Sequence, residues 1–300
     1  MHPLLSVAID GLGTQSGAQQ VVVGMPHRGR LAFLAGVMQY PIVKLFHKVL
    51  GYPDIPDGVP GIDDVSSHVA HSRPPVPPGP MGPAITGFGT HAGHGHISSS
   101  GVGVTLLHNP SHLEAVNPVA MGKTRAKRVS GEDPNAACVL VHGDGAFSGQ
   151  GVVGESLAMA TLPGFSVGGT VHVVVNNLLA FTAGVNEGRS TAHATDLAKG
   201  YGMPVIHVNA EDVEGAVFAA RCAVEYRRRF KNDAVINLVG FRRHGHNEVD
   251  EPRFTNPALY KSIDAQSSFP ERYGQFLAEK GILSNNEQAR IRDKARRHLE

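Results

Sequence analysis

Short segments that are apolar at nearly every position, set between longer stretches of helical periodicity, constrain this chain more than anything else in it. Gln20-Val21-Val22-Val23, Ala137-Cys138-Val139-Leu140-Val141, Thr170-Val171-His172-Val173-Val174-Val175, Val205-Ile206-His207-Val208 and Ala234-Val235-Ile236-Asn237-Leu238-Val239 are β-branched runs of strand length. Leu31 to Leu50, Gly151 to Ala160 and Asp212 to Phe230 carry helix patterns between them. A strand with no polar face has to be covered on both sides, which a parallel sheet packed between helix layers provides. The expected fold is therefore an α/β domain, doubly wound around a mostly parallel sheet with helices on both faces.

One stretch breaks the alternation. Gly51 to Gly103 is rich in Pro, Gly, Ser and His, and a structureless segment of that length is either functional or an insertion. The main domain is expected to run over residues 1–256 with an insertion near 73–100, followed by a helical peripheral or linking segment over 257–300. His91, His94 and His96 inside the insertion have a metal-like spacing, but a Gly-rich loop does not preorganise a site, and solvated insertion is the default reading. Arg227-Arg228-Arg229 reads as the exposed end of a helix, where cations favour the dipole.

Composition narrows the function classes. The net charge is +1 and only 18% of residues are charged, without a long block of one sign, so no nucleic-acid partner is expected. No apolar run approaches the roughly 18 residues of a spanning helix, so neither is a membrane. Cys138 and Cys222 lie in a strand-like and a helical pattern and suit a reducing compartment. Met1 to Gln20 has the look of neither a secretory signal nor a mitochondrial transit peptide, and both ends read as truncations.

The chemistry concentrates at two points. His142-Gly143-Asp144-Gly145 follows the strand ending at Val141, and Asn176-Asn177 follows the strand ending at Val175. In open parallel sheets ligands bind at the carboxyl ends of strands, where helix N-termini present N–H groups to phosphate oxygens. Gly143 and Gly145 would let the backbone approach a diphosphate, while the Asp144 carboxylate and the Asn177 amide oxygen are hard ligands suited to Mg²⁺. Gly-Asp-Gly alone is an ordinary turn. Separated from Asn-Asn by one strand-helix-strand unit, it falls at the same sheet edge, and the pair becomes a candidate Mg²⁺-diphosphate site.

That pairing resembles the thiamine diphosphate motif, and further runs extend the resemblance. Gly24-Met25-Pro26-His27-Arg28-Gly29-Arg30-Leu31, Asn109-Pro110-Ser111-His112-Leu113-Glu114-Ala115, Gly122-Lys123-Thr124 and Gly245-His246-Asn247-Glu248-Val249-Asp250-Glu251-Pro252 are similar to the 2-oxoglutarate dehydrogenase family. Asp64-Val65-Ser66-Ser67-His68 and Asn117-Pro118-Val119-Ala120 look closer to its 2-oxoadipate dehydrogenase-like branch. The match runs from about residue 20 to 263, interrupted by the insertion.

The resemblance implies thiamine diphosphate and Mg²⁺ as cofactors. It implies Mg²⁺ binding through the side chains of Asp144 and Asn177 and the carbonyl of Leu179, and a diphosphate contact from Arg28, whose guanidinium fork suits it. His27 and His68 would face the substrate, and His246 would border the channel for a lipoyl arm. His112 and Glu114 read as structural. The implied activity is decarboxylation of a 2-oxo dicarboxylic acid, with acyl transfer to the lipoyl group of an acyltransferase partner. The full-length protein would be a homodimer, in the mitochondrial matrix if eukaryotic and in the cytoplasm if bacterial. As a fragment, the chain is expected to bind cofactor weakly without turnover. Ala32 replaces a family Asn, and Leu178, Leu179 and Ala180 replace Gln, Ile or Leu, and Gly, which motivates an alternative: an inactive phosphate-ligand or assembly module.

Overall fold

The computed structural model describes residues 1–53, 55, 58–60, 64–75, 101–247 and 249–299, and in it the apolar runs become the interior of one sheet. In chain order a first compact unit, Met1–Gly240, contains α1 (His2–Thr14), β1 (Gln20–Gly24), α2 (Arg30–Gly36), α3 (Ile42–Val49), a 3-10 turn at Ser66–His68, β2 (His71–Arg73), β3 (Gly103–Leu106), α4 (Val116–Val129) and β4 (Ala137–Gly143). It continues through α5 (Asp144–Gly149), α6 (Gly151–Met159), β5 (Thr170–Asn176), α7 (Val185–Gly188), α8 (Asp196–Lys199), β6 (Val205–Asn209), α9 (Val213–Phe230) and β7 (Ala234–Val239). A second unit, Phe241–Glu300, holds α10 (Pro257–Asp264), α11 (Phe269–Glu279) and α12 (Asn285–Leu299). His91, His94 and His96 lie outside the described residues.

The strands lie in the order β2-β3-β1-β4-β5-β7-β6, and every described pairing is parallel except that of β2 with β3. The expected doubly wound α/β architecture is what the chain adopts. Alternate residues explain why the strands read as continuously apolar. Val21, Val23, Val139, Val141, Val171 and Val173 pack on the side of α1 and α9, while Val22, Cys138 and Leu140 pack against α4 on the other. From β1 the chain moves to β3 on one side and returns to β4 on the other, so the carboxyl ends of β1 and β4 flank a topological switch point, where such folds open a crevice.

Three features differ from the sequence expectations. The helical stretch over Leu31 to Leu50 is two helices, because Gln39 turns at φ +56° and Pro41 can start a helix but not continue one. The strands β2 and β3 were too short to carry a periodic signal. Arg227 is buried rather than exposed: α9 ends beside the start of β5, where the Arg227 Nε–H donates to the Gly169 carbonyl at 2.7 Å and burial pulls its pKa down to about 10. Arg228 and Arg229 do lie on the surface, paired with Glu225.

In the second unit Tyr260 is buried and accepts a hydrogen bond from Arg242 Nε at 3.2 Å, while Arg253 holds Asp264 through two N–H groups at 2.9 and 2.8 Å. Among the described residues no helix is long and apolar enough to cross a membrane.

Gly169 tests the entry to β5. Its φ is +90°, and a Cβ there would stand 2.3 Å from the Asn232 carbonyl oxygen, a backbone atom that cannot swing away. Gly169→Ala is expected to destabilise the protein by about 2–4 kcal/mol in denaturant titrations.

Candidate active site

Adjacent parallel strands bring the predicted site residues to one edge. β4 ends at Gly143, paired with Val175 of β5, so Asp144 and Asn177 emerge side by side from neighbouring strands. β1 lies on the other flank of β4 in parallel register, and His27 and Arg28 follow its carboxyl end. With about 4.8 Å between neighbouring strands, the ends of β1, β4 and β5 span roughly 10 Å. Antiparallel β2 starts at this same edge, with His71 opposite Leu106, so His68 also arrives there.

Asp144 opens α5 and is only 3% exposed. Burial pushes its carboxyl pKa up, opposed by the backbone N–H groups of Asp144 itself, Asn177 and Gly145 and by the positive charge of Arg189. The Asn177 backbone is thus near enough to favour the Asp144 charge. The turn after β5 is shaped by two carboxamides. Asn176 Oδ1 accepts from the Leu178 N–H and Asn177 Oδ1 from the Leu179 N–H, each at 3.0 Å, while Leu178 adopts φ +63° and turns outward, 41% exposed. Leu179 is buried.

The two glycines differ in role. Gly143 borders open space, with nothing within 4 Å of where a Cβ would stand. Gly145 is needed by the protein itself: a Cβ there would meet the Ala180 Cβ at 2.6 Å. Arg189, close enough to bias Asp144, has its Nε buried without a hydrogen-bond partner among the described residues.

His27 and His68 come together, their ring centroids 6.3 Å apart. Burial lowers the His27 pKa, helped by the nearby His68, Arg28 and Arg30, which disfavours its charged form. The His68 Nδ1 faces Asp64 at 3.1 Å, and the His68 carbonyl accepts from His108 Nδ1 at 3.1 Å. A cavity of about 690 Å³ adjoins them, lined by His68, His108, Asp64, Lys44, His47 and Lys48 among others. Arg28 is half-buried in the turn beside His27. His246 belongs to the second unit, where its N–H donates to Asp250 Oδ2 at 2.7 Å.

Two buried arrangements escaped the sequence reading. Arg30 is fully buried and holds three segments of the edge: Nε donates to the Val69 carbonyl at 2.9 Å, Nη1 to Met25 at 3.0 Å, and Nη2 to Leu107. Burial brings its pKa down to about 10. Behind Asp144 runs a line of four buried ionisable side chains. Glu114 Oε2 meets His142 Nδ1 at 2.6 Å, His142 Nε2 meets His172 Nδ1 at 3.0 Å, and His172 Nε2 meets Asp233 Oδ2 at 3.0 Å. Burial works against the Glu114 charge, but His142 and the Asn117 amide, which donates at 2.7 Å, hold its carboxyl below the usual range. Glu114 reads as structural in the sequence, but neither its partner nor His172 shows there, because the bonds joining them to their partners cross 28 and 61 residues.

Comparison with known proteins gives concordant matches. A family model described as the dehydrogenase E1 component matches residues 85–300. A probable 2-oxoadipate dehydrogenase complex component E1 homolog of Dictyostelium discoideum is 41% identical over 302 residues, covering 99% of this chain and 32% of that protein. A homolog of the same description in Caenorhabditis elegans is 42% identical, covering 100% of this chain and 32% of its own length. A 2-oxoglutarate dehydrogenase E1 component of Exiguobacterium is 40% identical, covering 98% and 30%. The chain thus spans about a third of the length of these relatives.

The contact between Gly145 and Ala180 makes a reciprocal test. Gly145→Ala is expected to destabilise by about 1–3 kcal/mol through overpacking. Combining it with Ala180→Gly, which removes the opposing methyl, should recover most of the loss in a thermal melt. Additive destabilisation in the double variant would contradict the contact.

Proposed function

Because this chain belongs to the dehydrogenase E1 component family, we propose that it supplies the metal- and diphosphate-holding part of a thiamine-diphosphate-dependent 2-oxo acid decarboxylase. The observation carrying this reading is the meeting of Asp144 and Asn177 at the ends of neighbouring parallel strands. The residues present fit the cofactor. Carboxylate, carboxamide and backbone carbonyl are hard oxygen donors suited to Mg²⁺, Gly143 leaves open space beside them, and the buried Arg189 Nε lacks a partner among the described residues.

In this reading Asp144 and Asn177 hold Mg²⁺ through their side chains, and Leu179 through its carbonyl. Arg28 pairs with the diphosphate, and the Gly143 and Gly145 backbone borders it. When bound, thiamine diphosphate supplies the nucleophilic carbon and electron sink that decarboxylation requires. The His27 ring, whose charged form burial disfavours, can accept or donate a hydrogen bond at the substrate, and His68, oriented by Asp64, can donate to a substrate carboxylate. His246 borders the approach of the lipoyl arm. The substrate class is a 2-oxo dicarboxylic acid, 2-oxoadipate or 2-oxoglutarate, and the acceptor is the lipoyl group of an acyltransferase component. The homodimer belongs to the same proposal, as does a mitochondrial matrix location in a eukaryote or a cytoplasmic one in a bacterium.

Asp144→Asn separates binding from folding. An acid whose pKa is higher in the folded than in the unfolded state costs stability as pH rises between the two values, and above that window the fold carries the full burden of a buried anion. The metal-free variant should therefore melt about 2–4 °C higher than the parent at neutral pH. That advantage should vanish at pH below the ordinary carboxylate range. Calorimetric titration should show thiamine diphosphate binding that requires Mg²⁺, weakened by more than about 100-fold in the variant, beyond what the loss of a group supporting a ligand costs. Binding that survives the substitution would sink the assignment, and binding without decarboxylation in the full-length protein would favour an inactive ligand-binding module.

A further inference from the structure

We propose that Glu114 is a positioning residue for the metal limb, acting through the buried line Glu114–His142–His172. The inference rests on the reading of Asp144 as a metal ligand. His142 is the last side chain before the Gly143-Asp144 pair, and both of its ring nitrogens are engaged, at 2.6 Å by Glu114 and at 3.0 Å by His172. A ring held at both ends cannot turn about its side-chain torsions. The residue that follows has no side chain, and nothing lies within 4 Å of where its Cβ would stand. Gly143 closes β4 opposite Val175 and contributes no side-chain packing of its own, so the side-chain anchoring of the strand end that carries Asp144 falls to the His142 ring.

The far end of the lock is itself constrained. Glu114 adopts φ +69°, a left-handed conformation that a non-glycine residue holds only when its surroundings insist on it. It is 6% exposed, and the Asn117 amide, three residues on, donates to the same oxygen that meets His142. The loop leading into α4 therefore presents one carboxylate oxygen to the end of β4. His172 is steadied in turn by Asp233, whose other oxygen accepts from the Thr170 N–H at 2.7 Å. The line ties the entry of α4, the strands β4 and β5 and the start of β7 to the residue behind Asp144.

Reach and charge can be separated at position 114. Glu114→Gln keeps the length and can accept from or donate to His142, whereas Glu114→Asp keeps the charge and falls short. The experiment uses the full-length protein, Mn²⁺ and thiamine diphosphate as probes, electron paramagnetic resonance for free and bound Mn²⁺, and a thermal melt. Glu114→Asp is expected to weaken Mn²⁺ binding by about tenfold or more and broaden the bound spectrum, with Glu114→Gln within about threefold of the parent. A weaker effect for Asp than for Gln overturns positioning in favour of simple charge. Unchanged affinity in both, with a lowered melting temperature, overturns it in favour of a purely structural bond. Should Glu114→Asp fail to fold, Asn117→Ala, which slackens the same carboxylate, takes its place, and unchanged Mn²⁺ affinity there overturns the proposal. If the parent itself binds no Mn²⁺, the metal reading fails, whereas parental binding with indifferent position 114 variants removes only the role of Glu114.

Discussion

The parallel pairing of β4 with β5 is the constraint on which the rest depends. Once Gly143 stands opposite Val175, the residue after each strand emerges at the same edge, and Asp144 and Asn177 meet without any loop having to search for the other. The pairing is secured by Val139, Val141, Val171 and Val173 on one face and Leu140 and Val174 on the other, all buried. The apolar core thus sets the geometry of the polar edge. A one-residue slip would turn each of these side chains to the opposite face, which the packing on both sides forbids.

The edge places polarity where it is expensive. Asp144 is buried at a cost to its charged form that backbone N–H groups and the charge of Arg189 only partly offset, Arg30 is fully enclosed by three carbonyl contacts, and Glu114 stands in a left-handed conformation. Each costs stability that a turn without function would not require. They gather along the ends of β1, β4 and β5, while the opposite edge buries Arg227 and Asp233 at the start of β5 and β7. Similarity to E1 components runs over nearly the whole chain.

The sequence changes at this edge are also accommodated by local geometry. Leu178, where the family motif has Gln, points outward, and its backbone is braced by Asn176 Oδ1. Ala180, where the motif has Gly, packs its methyl group against the space left by Gly145, so the two positions form one steric unit. Neither change disturbs the Asn177 turn, which depends on a carboxamide accepting from the Leu179 N–H.

The apolar runs by themselves determined the parallel sheet, the two helix layers and the arrival of Gly-Asp-Gly and Asn-Asn at one edge, because period and burial are local properties that a strand carries wherever it packs. Short strands such as β2 and β3 were not legible, since three or four residues hold too little pattern. The burial of Arg227 against Gly169, the clamp made by Arg30, and the line from Glu114 through His142 and His172 to Asp233 were decided only by the tertiary structure. Each joins groups far apart in the chain by bonds a few ångströms long. A charged side chain reads as exposed in the sequence until the fold brings the carbonyls, amides or imidazoles that make its burial bearable.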